Sequence, residues 1–204
     1  MRIRFSRLYK PDLLVCTEAK CASRVAGLGR VLCDPSGWLV GTNHYCLVAV
    51  PCSVEKSDPA EELVKRTVSP QLVRLSRTLS EGDKASFEVG PRGVIPTPIG
   101  THGLMLGELC TNNESSFDWR KLIPDLASAS QVPVYAFDVK LLSLMRSAMN
   151  AKVLHIAPKG GSEAALAIPD GLTEKGFPFG IIMPRVWLAH KDAISYSASL
   201  RGAP

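Results

Sequence analysis

One order of elements, met three times along the chain, limits what this sequence can fold into more than any single motif does. An alternating strand is followed by an amphipathic helix and then by short strands. In residues 1–55, RIRFS (2–6) alternates as a strand does, and Pro11 with Asp12 suits the first turn of a helix expected to reach Cys21. Strands are expected at 25–33, 37–41 and 45–50, with Asp34-Pro35-Ser36-Gly37 turning the chain between the first two. In residues 63–124, Ser69 is a good N-cap and Pro70 a good first helical residue. Leu72, Leu75 and Leu79 then share one face, and Arg74 and Arg77 point away from it. Glu81-Gly82-Asp83 ends that helix, and strands are expected near 85–90, 93–97 and 103–109. In residues 132–187, VPVYAF (132–137) reads as a strand and Asp138 as a cap. Leu141, Met145, Ala148 and Met149 form the buried stripe of the following helix, with Lys140, Ser143, Arg146 and Ser147 on its wet side. Strands near 152–158, 163–168 and 178–183 complete the unit.

Polar, small-residue connections separate these units at 53–63 and 125–131, and the 188–204 tail has weak periodicity. The expected architecture is α+β: repeated half-domain modules, each with one helix packed on antiparallel strands, the sheets covered on one face by helices. Modules 1–55 and 63–124 make one domain of residues 1–124. Residues 125–131 link it to a third module, 132–187.

With 46% hydrophobic residues among 204, the chain can bury real cores. Its longest apolar run, Cys46 to Cys52, contains a proline and falls far short of the ~20 residues that span a bilayer. The basic start MRIRFSRLYK is followed by no apolar stretch of the secretory kind. Six cysteines, at 16, 21, 33, 46, 52 and 110, match neither zinc nor redox spacing, which points to buried thiols in a reducing, cytoplasmic setting. The net charge is +5, and residues 1–30, with seven bases against Asp12 and Glu18, hold the whole excess. Further on, acids cluster at 55–62, 81–88 and 108–125, while 63–80 and 139–162 carry bases and no acid. Such segregation implies one positively charged face.

Catalytic patterns are not evident. His44, His102, His155 and His190 are scattered without ligand spacing, and Cys46 beside His44 lacks an oxyanion site. PRGV (91–94) and PKGGS (158–162) read as hairpin turns, not phosphate loops. No catalytic residue, metal or cofactor is expected.

Three segments carry a family resemblance. Residues 24–50 (RVAGLGRVLCDPSGWLVGTNHYCLVAV) resemble the central domain of the bacterial sliding clamp, the β subunit of DNA polymerase III. Phe117-Asp118-Trp119-Arg120-Lys121-Leu122-Ile123-Pro124 is similar to the segment that ends that domain, and Gly180-Ile181-Ile182-Met183-Pro184-Arg185 to the end of the clamp's last domain. The order is that of the family, across residues 1–187. Asn43-His44-Tyr45-Cys46 departs from the family's Asp-Gly-His-Arg, and three modules stand where a clamp polypeptide has six.

The resemblance implies a non-enzymatic protein that lies along or encloses double-stranded DNA without reading bases and tethers replication partners. Basic helices would face phosphates, and Lys10, Lys20, Arg24, Arg74, Arg77, Lys140 and Arg146 are the residues expected to do so. Carried over position by position, a pocket for a short peptide of a polymerase or clamp loader would use Thr42, Leu47, Pro70, Met183, Pro184 and Arg185. Four copies of a three-module chain would match a clamp ring, so a homo-oligomer is expected. A rival expectation is a clamp-derived interaction module that binds or inhibits a replication or defence protein without encircling DNA, as a phage or mobile element would use.

Overall fold

Strand β4 (Cys46–Glu55) is the piece on which the other strands are assembled. In the computed structural model the described residues are 1–15, 29–43, 45–60, 62–80, 82–90, 93–96, 113–114, 117–123, 135–159, 163–171 and 177–184. Before β4 come β1 (Arg2–Ser6), the 3-10 turn η1 (Pro11–Leu14), β2 (Val31–Asp34) and β3 (Trp38–Thr42). After it come β5 (Arg66–Val68), α1 (Pro70–Leu79), β6 (Lys84–Gly90), β7 (Gly93–Pro96), β8 (Asn113–Glu114) and the 3-10 turn η2 (Trp119–Leu122). The chain continues with α2 (Val139–Met149), β9 (Leu154–Pro158), β10 (Ala165–Pro169) and β11 (Phe179–Ile182). This is an α+β fold built on antiparallel pairings.

The pairings are reciprocal. β1 pairs with β4 and with β6, while β5 pairs with β8 and with β2. Each opening strand therefore joins the closing strand of its own unit and the first post-helix strand of the other. One edge of β4 pairs with β3. The opposite edge is divided: residues 46–49 pair with β11 and residues 52–55 with β1. Cys52 donates its N–H to Gly37, on the β3 side. By alternation Pro51 faces the gap between β11 and β1, where its missing N–H leaves no ladder bond unmade.

Both faces of the central strands are covered. Cys46, Val48 and Val50 of β4 face a core with Ile3, Phe5, Phe87, Leu72, Val73, Met145, Ala148 and Met149, under the helices. Leu47 and Ala49 face the other way, into a second core with Leu32, Val40, Ile181 and Trp119, flanked by Trp38, Phe117 and Phe179. The helices cover one face, as expected from the sequence, and the segment carrying Phe117 and Trp119 closes the other. Trp119 packs edge-on to Trp38 at 6.0 Å and tilted against Phe179 at 5.7 Å. Its indole N–H donates to Asp34 at 2.9 Å, and Arg120 donates to the same carboxylate at 2.6 Å while lying 4.5 Å above the indole ring. Ser36 donates its backbone N–H and hydroxyl to the other Asp34 oxygen. Burial pushes the Asp34 carboxyl up, but the hydrogen bonds from Arg120, Ser36 and Trp119 outweigh it and hold the group at about 2. The aromatic–acid–aromatic segment therefore closes the second core and fastens it to the Asp34–Gly37 turn.

Local chemistry explains several elements. The Ser69 hydroxyl accepts from the Gln71 N–H ahead of Pro70, and Asp138 accepts from the Lys140 N–H at 2.8 Å, so both helices start on side-chain caps. Asn150 ends α2 in the left-handed region at φ 53°. Gly41 lets η1 lie against β3: a Cβ there would strike the Pro11 carbonyl.

Other expectations are revised. The helix begun at Pro11 stops at Leu14, because Val15 turns extended and is buried beside Leu14; residues 16–21 lie outside the described set. The first post-helix strand among the described residues is Val31–Asp34, after a turn at Gly29 with φ 84°; residues 25–28 of the expected strand lie outside the described set. β4 runs on to Glu55, beyond the expected end at 50, because β1 supplies partners for its last four residues. Tyr135–Phe137 is not a strand: β10 and β4 already occupy both edges of β11, the closing strand it would have joined. On α1 the buried residues are Pro70, Leu72, Val73 and Ser76, and Leu79 is exposed. That turns the buried face toward Arg77 relative to the leucine stripe. The strand expected at 103–109 and the 188–204 tail lie outside the described residues.

Candidate nucleic-acid interface

Three helical segments form a layer joined through η1, which touches both α1 and α2. Lys10, at the N-cap of η1, donates its backbone N–H to the Ala148 carbonyl in the last turn of α2, at 2.8 Å. α1 and α2 contain no acid. The only acid of η1, Asp12, is buried, with a side chain 0% exposed.

Of the residues expected to face phosphates, Lys10, Arg74, Lys140 and Arg146 are exposed. Arg77 is half-buried; Lys20 and Arg24 lie outside the described residues. Arg74 and Arg77 do not simply point to solvent, as their helical spacing had implied. The Arg74 Nε–H donates to Asp12 Oδ2 at 2.5 Å, and Arg77 Nη2 lies 3.1 Å from Oδ1. The physical reason is the rotated face of α1: a buried carboxylate needs cationic partners, and two arginines one helical turn apart enclose it. Burial lowers the Arg77 pKa, Asp12 raises it and Arg74 lowers it again, with a net downward shift. Side-chain exposure is 48% for Arg74 and 15% for Arg77.

Above the Asp12 carboxylate an open cleft of about 630 Å³ is lined by Arg7, Lys10, Asp12, Leu13, Arg74, Arg77 and Thr78. Arg7, absent from the expected set, is held there by its guanidinium donating to the Gly82 carbonyl and its backbone N–H donating to Asp83. The basic start of the chain was visible in the sequence. The meeting of Arg7 with residues 74–83 was not, because it depends on β1 pairing with β6.

The residues expected to form a peptide pocket gather at one end of the sheet. Thr67, Leu32, Val40, Ala49 and Phe179 form one continuous row across β5, β2, β3, β4 and β11. Beyond that row, in the same direction, lie Pro70, Thr42, Leu47, Met183 and Pro184, spread over roughly 19 Å at the ~4.8 Å spacing of strands. Leu47 is buried in the second core and presents no surface; Pro70 and Pro184 are also buried. Thr42 donates its hydroxyl to the Cys46 carbonyl. Met183 is 43% exposed and donates its N–H to the carbonyl of Tyr45, which is 66% exposed. Arg185 lies outside the described residues.

No protein-family model matches the sequence, and no curated protein matches it. Solved structures do. The DNA polymerase sliding clamp from Bacillus subtilis is similar at a TM-score of 0.59 and 10% identity, over 92% of this chain and 65% of the clamp. DNA polymerase III subunit beta from Borrelia burgdorferi is similar at 0.61 and 11%, over 90% of this chain and 64% of that one. The Pseudomonas aeruginosa sliding clamp gives 0.56 and 12%, over 92% and 66%. The chain thus has the fold of bacterial sliding clamps, and it spans less than two thirds of the length of the chains it matches.

Proposed function

We propose that this chain is a non-catalytic, clamp-like protein that associates with double-stranded DNA without reading its sequence, as a homo-oligomer that tethers a replication partner. One observation carries the reading: among the described residues of η1, α1, α2 and their N-caps, the exposed charges are Lys10, Arg74, Lys140 and Arg146, while of the two acids Asp12 is buried beneath two arginines and half-buried Asp138 caps α2. Such a surface attracts phosphates through counterion release and carries no groups arranged for base readout. The sliding-clamp fold supports the same reading.

The test is a salt titration of duplex binding by fluorescence anisotropy. Four phosphate contacts per chain predict a log–log slope of roughly −3.6 for each chain that contacts the duplex, and each of Lys140→Ala and Arg146→Ala should lower its magnitude by about 0.9 per chain. Absence of binding at low salt would remove the proposal. Exposed Tyr45 and Met183, joined by a backbone hydrogen bond, favour a second reading, a clamp-derived protein-interaction module. In that case Met183→Asp abolishes capture of a peptide partner, and the α2 variants leave it unchanged.

A further inference from the structure

The cleft over Asp12 is built differently from a solvated basic strip. Its floor is a carboxylate that is 0% exposed, and that carboxylate fixes the guanidiniums of Arg74 and Arg77 in place. A guanidinium has five N–H donors, and Asp12 engages only the Nε of Arg74 and one terminal nitrogen of Arg77. The Arg77 Nε–H and Asp12 Oδ1 are both buried with no hydrogen-bond partner among the described residues, so one donor and one acceptor remain without a hydrogen bond beneath the cleft, alongside the free terminal N–H groups of Arg74 and Arg77. Arg7 and Lys10 complete a lining of four cations against one anion. The cleft, about 630 Å³, is open to solvent and leaves room for a phosphate above the arginines.

We infer that Arg7, Lys10, Arg74 and Arg77, positioned by buried Asp12, form a discrete phosphoryl-binding site. Asp12 is a positioning residue there: it orders two flexible side chains in advance and so reduces the entropy lost when a phosphate binds. The paired arginines act as the directional component and Lys10 as a point charge at the rim. The inference deepens the DNA reading, since a backbone phosphate is one source of the ligand and a free phosphate the other.

The experiment follows the arginine Nε–H resonances of the ¹⁵N-labelled full chain during titration with inorganic phosphate, with sodium chloride adjusted to constant ionic strength, and then with a short duplex. Arg74→Lys identifies the Arg74 signal without removing its charge. Saturable shifts of Arg74 and Arg77 with phosphate, weakened roughly tenfold by Lys10→Gln, are expected. Phosphate shifts with no duplex binding support the site, assign it to free phosphate and sink the DNA reading; phosphate shifts with a duplex that binds without moving these signals assign the site to free phosphate and leave the DNA reading standing. Duplex binding with both arginine signals unmoved by phosphate and by duplex sinks the site and leaves the DNA reading standing. Phosphate shifts no larger than those produced by chloride also overturn the site.

Discussion

Replacing Asp34 with Asn tests whether the carboxylate under Trp119 is held ionised by its partners. Asp34 titrates at about 2 in the fold against an ordinary 3.8, a depression. A depressed acid stabilises the fold fully above its unfolded pKa, and that stability is lost as pH falls through the folded value. The shift corresponds to about 2.5 kcal/mol at neutral pH, of which about 2 kcal/mol disappears between pH 5 and pH 2. This is an upper figure, because the Arg120 side chain is 40% exposed and salt screens its share. Urea unfolding of both proteins at half-unit steps from pH 5 to pH 2 provides the measurement. Other carboxylates titrate in both proteins, so the difference between the two isolates Asp34. Asp34→Asn should begin less stable, since an amide offers one acceptor oxygen where the carboxylate offers two, so that either the Trp119 and Arg120 donors or the Ser36 donors face an NH2 group. The gap should close by about 2 kcal/mol on acidification. A gap that stays constant across this range would refute the reasoning.

Two further predictions concern close approach and thiols. Gly41→Ala should cost about 3 kcal/mol in chemical denaturation, because the atom its Cβ meets is the fixed Pro11 carbonyl. Gly180→Ala should cost less, about 1–2 kcal/mol, because there the nearest obstacle is the flexible end of Met145 and the Leu47 carbonyl lies farther off, at 3.2 Å; equal costs would contradict the packing described. Burial pushes the thiols of Cys46 and Cys52 up to about 12 and that of buried Cys33 well above its usual value. Site-resolved alkylation at pH 8 should therefore leave all three unmodified in the folded chain and modify them in urea.

Much of the fold was legible because it rests on short-range chemistry. Ser69 before Pro70, Asp138 before an amphipathic run, and the Asp34–Gly37 turn announce themselves within a few residues, and the structure uses each. Long-range partners leave no such mark. Asp12 looked like a minor acid in a basic stretch, yet it meets arginines 62 and 65 residues away. The leucine spacing of α1 pointed to Leu79, but α1 packs on β6 and η1, and the face they bury was set by the Asp12 pairing and by Val73, which no periodic pattern encodes. Likewise, residues 135–137 belong to a stretch that reads as a strand by local preference. Only the pairing of β11 with β4 shows that its slot is already taken.

The divided edge of β4 makes chain length in this region a matter of parity. Side chains alternate between two cores at every step from Cys46 to Val50, and the β1 register begins two residues later. A single codon gained or lost between Val50 and Cys52 would invert one attached group of strands relative to the other, whereas a paired change would restore the facing. Among relatives of this chain, length variation at Pro51 should therefore come in twos.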